Sequence, residues 1–220
     1  MNSSARRCPR CQIARRWCIC PVHVDVTTPL AVDVLTHHRE RYRPSSTGTL
    51  INRIIPTSRH ILYRRERRLS AVDVKFPGRE LWIFHSHGEA LPTTLPDPRL
   101  VQVLLIDGSW REASAMAQEV TQWGRLVSLP MTGVSRYWLR AQADDGQFST
   151  IEALLFLLER FGLPEAESVR LQFELHVYAS LRARGHKAVA AEFLAGSPIR
   201  DEFREFIAQL DVRRPRTELA

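Results

Sequence analysis

The chain has 220 residues, 44% of them hydrophobic, which suffices for one domain with a full core and a small appendage. Its first residues lack the apolar core of a signal peptide, and its longest apolar runs are too short to span a membrane. The composition excludes a disordered, fibrous or membrane-spanning protein and predicts a soluble cytoplasmic one.

The formal charge of +7 is distributed unevenly along the chain. Residues 1–68 hold 14 arginines against 4 acids, whereas residues 69–220 hold 17 basic residues against 20 acids. Such a positive region attracts polyanions by releasing their counterions. Nucleic acid is therefore the first partner that the charge predicts, and an anionic membrane surface the second.

Four cysteines lie within thirteen residues, as Cys8-x2-Cys11 followed by Cys18-x-Cys20. The two hooks supply four thiolates without long-range folding, and zinc prefers tetrahedral thiolate coordination. In a cytosolic protein this spacing favours a metal over a disulfide or redox pair, although His23 could replace one ligand. We predict a structural Zn²⁺ knuckle that, with its linker, occupies residues 1–28.

Arg15, Arg16 and Trp17 lie between the two cysteine hooks. A closed knuckle would present two cations and an aromatic ring, which suits phosphate contact and base stacking in RNA. The alternative for Trp17 is that its ring only covers the knuckle.

From residue 29 onward, apolar runs of strand length alternate with helical patterns. The predicted strands are 29–36, 61–63, 81–85, 100–106 and 126–129, and the predicted helices are 49–55, 109–123, 150–162, 164–184 and 199–210. This alternation predicts an α/β domain with a mostly parallel sheet and a helical C-terminus over residues 29–220.

The strand predicted at 100–106 ends in Asp107, which is followed by Ser109 and Trp110. An acid at the carboxyl end of a buried strand lies where open α/β sheets bind ligands. Ser109 and Ser149 are each followed three positions later by glutamate, which predicts a capping box at the start of a helix. A helix N-terminus also offers free N–H groups to a substrate carboxylate.

No glycine-rich phosphate loop follows any predicted strand, which argues against a dinucleotide or P-loop site. An acid, a nearby aromatic ring, two helix N-termini and arginine-rich loops remain. This set suits a nucleobase acceptor and a donor that carries an amino acid.

Five motifs, in order, resemble the DTW-domain family, whose members are tRNA-uridine aminocarboxypropyltransferases. They are the cysteine pattern of residues 8–20, His37-His-Arg-Glu40 leading to Ser46-Thr-Gly48, Asp107-Gly-Ser-Trp110, the segment 129–140 and Ser149-Thr-Ile-Glu-Ala153. The family signature is Asp-x-Thr-Trp, and Ser109 stands in place of its Thr and keeps the hydroxyl. Ser46 stands where an asparagine is common.

The resemblance implies a SPOUT-like fold with a knotted region that binds S-adenosylmethionine. It implies transfer of the 3-amino-3-carboxypropyl group of that donor to N3 of a tRNA uridine, with release of methylthioadenosine. The expected partners are tRNA and the donor, and the expected assembly is a monomer or a homodimer.

The resemblance also implies roles for particular residues. Asp107 would be a base for the uracil N3–H or would orient the uracil or the donor amine, with Ser109 and Trp110 in the same catalytic set. Trp110 either stacks on a base or packs into the core. The donor pocket would be lined by Thr47, Leu129, Pro130, Ser149 and Thr150, with Arg140 on a carboxylate or phosphate, and RNA phosphates would be met by Arg39, Arg41, Arg43 and Arg136.

Two other functions are left open. A SPOUT-type RNA methyltransferase would use the methyl group of the same donor, and would differ only in how the donor is turned. A non-catalytic zinc-knuckle RNA-binding protein would explain the charge and the cysteines, but it gives no reason for the segment Asp107–Trp110.

Overall fold

The computed structural model describes residues 7–140 and 148–212. Its strands in this part of the chain are β1 (Ala31–His37), β2 (Arg59–Tyr63), β3 (Glu80–Ala90), β4 (Val101–Asp107) and β5 (Arg125–Ser128). Its α-helices there are α1 (Thr47–Ile54), α2 (Ala71–Val74), α3 (Trp110–Val120), α4 (Thr150–Arg160), α5 (Glu165–Ala183), α6 (Lys187–Ala195), α7 (Ile199–Glu202) and α8 (Arg204–Asp211).

The five strands form one sheet in the order β2-β1-β4-β3-β5, and every neighbouring pair is parallel. This confirms the predicted α/β class and parallel sheet. In this order β2, which follows β1 in sequence, lies on one side of the central β1–β4 pair, and β5, which follows β4, lies on the other side. The crevice between the carboxyl ends of β1 and β4, where Thr36 pairs with Asp107, is therefore the place where such sheets bind ligands.

Helices cover both faces of the sheet. Leu35 of β1 belongs to a core cluster with Met116 and Val120 of α3, all three fully buried. The side chain of Val34, which precedes Leu35 in the strand, points to the opposite face of the sheet and lies beside Gly48 of α1. Since α4 packs against α1, the sheet lies between α3 on one face and α1 with α4 on the other. Each buried aliphatic side chain contributes about 1.5–3 kcal/mol to this core.

Most predicted elements are present, with bounds shifted by a few residues. β3 runs further than expected, because the ladder to β5 is irregular between Phe84 and Glu89. Gly88 lies in this stretch, and a Cβ there would be 2.4 Å from the backbone carbon of Val127, so the irregularity requires glycine. α2 and α6 were not predicted, and the helix predicted at 199–210 is interrupted at Phe203.

Spatial proximity groups the described residues into two compact units, 24–170 and 7–23 with 171–212, and α5 contributes to both. The second unit joins the cysteine-rich segment to the C-terminal helices. In it the guanidinium carbon of Arg182 lies 4.6 Å from the centre of the Trp17 ring. These units are defined by spatial proximity, whereas the predicted boundary at residue 28 separates a metal-binding segment from a catalytic domain. That boundary stays a prediction. None of the helices in the described ranges is long and apolar enough to cross a membrane.

Candidate functional site

A cleft of about 400 Å³ opens at the carboxyl edge of the sheet, a volume typical of small-molecule sites. Its walls come from the middle of β3, the end of β4, the segment after β5 and the starts of α1, α3 and α4. Every lining residue lies within the unit 24–170. The sheet topology thus places a cavity where the strand order predicts one.

Asp107, the last residue of β4, lines this cleft and has 6% of its surface exposed. Its Oδ2 accepts a hydrogen bond from Ser46 Oγ and its Oδ1 one from Thr150 Oγ1, each at 2.8 Å. Burial raises the pKa of Asp107, although the two hydroxyl groups act in the opposite direction. A cation bound beside this carboxylate would lower the pKa again.

Two helices begin next to the Asp107 carboxylate. Ser46 caps α1, and Thr150 is the first residue of α4. A Cβ at Gly48 would lie 2.6 Å from Asp107 Oδ2 and 2.9 Å from Val34 Cγ1, so only glycine lets α1 approach this closely. The positive ends of both helix dipoles therefore face the buried acid.

A second buried carboxylate holds the main cation of the cleft. Glu40 is 1% exposed, and its Oε2 accepts a hydrogen bond from Arg140 Nη2 at 2.8 Å. Its Oε1 lies 2.5 Å from Arg43 Nη1. Among residues 7–140 and 148–212, Nε and Nη1 of Arg140 have no hydrogen-bond partner. Arg140 thus presents a positive group to the cleft, held in place by the buried Glu40 carboxylate.

Residues 135–137, after β5, are held against the starts of α1 and α4. The buried Glu152 carboxylate accepts hydrogen bonds from Ser135 Oγ at 2.8 Å and from the backbone N–H of Arg136 at 2.7 Å. The hydroxyl of Tyr137 donates to the carbonyl oxygen of Ser45, just before α1. These contacts set the wall of the cleft that Tyr137 and Arg140 contribute.

Both predicted capping boxes are confirmed. Ser109 is exposed, and its hydroxyl donates to Glu112 Oε2 at 2.7 Å, so a catalytic role for it stays a prediction. Trp110 lines the cleft and is 55% exposed. The alternative in which Trp110 packs into the core is therefore wrong, whereas stacking on a base stays a prediction.

The residues predicted to line a donor pocket lie together with one exception. Those on the cleft wall are Thr47, Leu129, Arg140, Ser149 and Thr150. Pro130 is exposed and is not part of the wall, where its neighbours Leu129 and Met131 take part instead. Whether this wall binds the donor stays a prediction.

Sequence reasoning assigned no role in the cleft to several residues that the structure places at the site, namely Ser46, Glu40, Met131, Tyr137 and His85. Ser46 carried a usable signal, because a serine before a helical pattern commonly caps the helix. Glu40 is an acid inside a run of arginines, which indicates a buried ion pair only once the fold is known. His85 lies in β3 just after Phe84, the last residue that pairs with β4, and so near the same sheet edge as Asp107.

The four cysteines have the geometry of a metal site. Their sulfur atoms all lie within 4.8 Å of one another, and no other such group of ligands is found in the described residues. Cys8 and Cys20 are 3.6 Å apart and Cys11 and Cys18 are 3.8 Å apart. Tetrahedral Zn–S bonds of about 2.3 Å place sulfurs about 3.8 Å apart. The donor set therefore fits Zn²⁺, and His23 is not part of it.

The thiol groups depend on a cation to be deprotonated together. Burial raises the pKa of Cys18 and of Cys20, and the nearby Cys11 raises both further. For Cys8, burial also acts to raise the pKa, but hydrogen bonds from the backbone of Cys11 and Arg10 lower it below the usual value. A bound divalent ion would stabilise all four thiolates.

The ring of Trp17 is covered rather than free. It is 8% exposed, with the guanidinium carbons of Arg16 and Arg182 at 4.9 Å and 4.6 Å from its centre. The predicted stacking of Trp17 on an RNA base is therefore corrected, because the ring belongs to the packing of the knuckle. Roles of Arg15 and Arg16 in RNA binding stay predictions.

The other arginines assigned to RNA differ in exposure. The side chain of Arg39 is 68% exposed and that of Arg43 53%, and Arg41 is also exposed. Arg136 is partly buried, with its guanidinium carbon 5.5 Å from the centre of the Trp138 ring. Their contacts with RNA phosphates stay predictions.

An open parallel sheet with a polar cleft across β1 and β4 defines an α/β protein with a small-molecule site at the carboxyl edge. The chain belongs to the DTW-domain family, whose family model matches residues 5–182. Membership indicates a tRNA-modifying enzyme. The match spans both the cysteine cluster and the cleft. No solved structure matches the chain.

Proposed function

We propose that the protein is a tRNA-uridine aminocarboxypropyltransferase that uses S-adenosylmethionine. The observation that carries the proposal is the presence of a buried acid, Asp107, and a fixed cation, Arg140, in one cleft of suitable size. The group to be transferred bears an ammonium and a carboxylate, and a cleft with one acid and one arginine matches both charges.

The donor's amino acid would lie between these two side chains. Asp107 has a lone pair left on each oxygen for the ammonium, whose charge would compensate the cost of ionising a buried acid. Arg140 would meet the carboxylate with its guanidinium, and the neighbouring helix starts at Thr47 and Thr150 add polar groups.

In the reaction, N3 of the uracil attacks the donor carbon next to sulfur on the amino-acid side. A C–N bond forms, the C–S bond breaks with its electron pair moving to sulfur, and methylthioadenosine leaves as a neutral thioether. The N3 proton is released to water. The protein's main contribution is orientation, since this carbon rather than the methyl must face N3 in line.

Both oxygens of Asp107 already accept hydrogen bonds from hydroxyl groups, so we assign it to orienting the donor amine. Trp110, exposed at the cleft, would stack on the acceptor base. The basic N-terminal region would attract tRNA, and a zinc ion in the knuckle would be structural. We also propose the knotted SPOUT-like donor site, in a monomer or a homodimer in the cytoplasm.

A double-label assay tests the reaction. Bulk unmodified tRNA is incubated with S-adenosylmethionine labelled at the carboxyl carbon in one sample and at the methyl carbon in another. Carboxyl label alone should enter the RNA. Methyl label alone would make the protein a methyltransferase. Neither label, together with tight tRNA binding, would favour a non-catalytic RNA-binding protein.

A further inference from the structure

One aromatic side chain near the cleft has no role in the site described above. Tyr42 is 80% exposed, and it lies in the turn that follows β1. Large aromatic side chains with this exposure are few among the described residues. The guanidinium carbon of Arg41 lies 5.7 Å from the centre of the Tyr42 ring.

The turn that carries Tyr42 is rich in exposed arginine. Arg39, Arg41 and Arg43 are all exposed. The acid in this turn, Glu40, is buried and its charge is neutralised by Arg43 and Arg140. Arg41 lies beside the exposed ring, Arg39 and Arg43 are exposed in the same turn, and residues 38–45 contain no exposed acid. This combination favours a ligand that offers both phosphates and flat bases.

The turn is also held in place. Backbone hydrogen bonds run from Glu40 to His37, from Arg43 to Glu40 and from Ser46 to Arg43, at 2.8, 3.0 and 2.9 Å. The buried Glu40 side chain also holds this turn in place through its contacts with Arg43 and Arg140. A pre-ordered surface loses little conformational entropy when it binds a ligand.

The chain passes from this turn directly into the cleft wall at Ser45 and Thr47. If the base of one RNA nucleotide enters the cleft, the adjacent nucleotides of the RNA lie at the edge of the cleft, where this turn is. We infer that Tyr42 stacks on an unpaired base next to the modified nucleotide, while the surrounding arginines contact its phosphates. The inference rests on the proposed function in so far as the substrate is RNA.

The test is equilibrium binding of unmodified tRNA at several salt concentrations, without any donor. Tyr42→Ala should weaken binding roughly 5- to 150-fold, because stacking on a base is worth about 1–3 kcal/mol. Its dependence on salt should equal that of the wild type, since a neutral ring releases no counterions. Arg41→Gln should instead reduce the slope of log K against log salt by about 0.7–0.9.

Two matched variants accompany the test. Tyr42→Phe keeps the ring and should bind like the wild type, and Val72→Ala changes an equally exposed side chain, 86% exposed on α2, and should also have no effect. Wild-type affinity in Tyr42→Ala, or a loss in Tyr42→Phe as large as in Tyr42→Ala, would overturn the stacking. Because no donor is present, a protein that binds tRNA through Tyr42 but transfers no label refutes only the proposed reaction. Failure of the wild type to bind RNA refutes both.

Discussion

Ser46 donates its hydroxyl proton to Asp107 Oδ2 at 2.8 Å and thereby joins the start of α1 to the end of β4. Ser46 Oγ also accepts a hydrogen bond from the backbone N–H of Thr49, so one hydroxyl caps the helix and holds the acid. On the other side, Oδ1 accepts a hydrogen bond from the Thr150 hydroxyl at the start of α4. The carboxyl group of Asp107 is thus held by the starts of two helices.

Asp107→Asn should abolish transfer while leaving tRNA affinity nearly unchanged. The amide keeps the size of the side chain but has no negative charge for the donor ammonium. The measurement is the single-turnover rate of carboxyl-label transfer beside the dissociation constant for tRNA. Asp97→Asn, which changes an exposed acid paired with Arg99, is the control and should remain active. Full activity in Asp107→Asn would remove Asp107 from the mechanism.

The raised pKa of Asp107 predicts a pH dependence of stability. The folded protein keeps this proton to higher pH than the unfolded chain does, so this group's contribution to stability falls as pH rises from the usual Asp value of about 3.9 toward the raised pKa. Asparagine does not titrate, so the Asp107→Asn variant does not lose stability in this way as the pH rises. Its melting temperature, relative to the wild type, should rise with pH across that window, as thermal denaturation at a series of pH values would measure. A difference that is constant with pH would contradict this prediction.

The sequence predicted the sheet well because parallel strands buried on both faces are continuous apolar runs, as Val103 to Ile106 shows. It failed where an element is short or depends on distant packing. α2 has four residues, too few for a periodic pattern, and the extension of β3 depends on how Gly88 meets Val127 in another strand. The grouping of the knuckle with the C-terminal helices depends on contacts such as Trp17 with Arg182, which no local pattern encodes.

The candidate site was predictable where chemistry follows an element boundary. Asp107 ends a strand and Thr150 begins a helix, and both positions could be read from the local pattern. The partners of these residues could not, because Ser46 and Asp107 are 61 positions apart, and Glu40 and Arg140 are 100 apart. Pairings over such distances are set by strand order, which sequence periodicity does not give.

Glu40→Gln should weaken binding of S-adenosylmethionine roughly 10-fold, because Arg140 loses the charged partner that fixes its guanidinium. Isothermal titration measures the affinity. The double variant with Arg140→Gln should bind no more weakly than Arg140→Gln alone if Glu40 acts through Arg140. Arg43→Gln leaves the Glu40–Arg140 contact in place and should keep the donor affinity of the wild type. Additive losses in the double variant would show that Glu40 acts by another route.

Trp110→Ala should reduce the affinity for tRNA and the transfer rate at low tRNA concentration, with little change in stability. The side chain is 55% exposed, so its removal should change the free energy of unfolding by no more than about 0.5 kcal/mol. Loss of base stacking corresponds to a decrease of roughly 5- to 150-fold in RNA affinity. Denaturant unfolding and filter binding measure the two effects. Unchanged RNA affinity in Trp110→Ala would contradict the stacking role.

The purified protein should contain one zinc ion per chain, and Cys11→Ser should lose most of it. Without the ion, four thiol groups within 4.8 Å have no common partner, and the packing of Trp17 against Arg182 should loosen. Chelation should therefore shift the tryptophan emission of the wild type to longer wavelength, and the shift should be smaller in Trp17→Phe. The melting temperature should fall in parallel. A metal-free protein with an unchanged melting temperature and emission spectrum would exclude a structural metal.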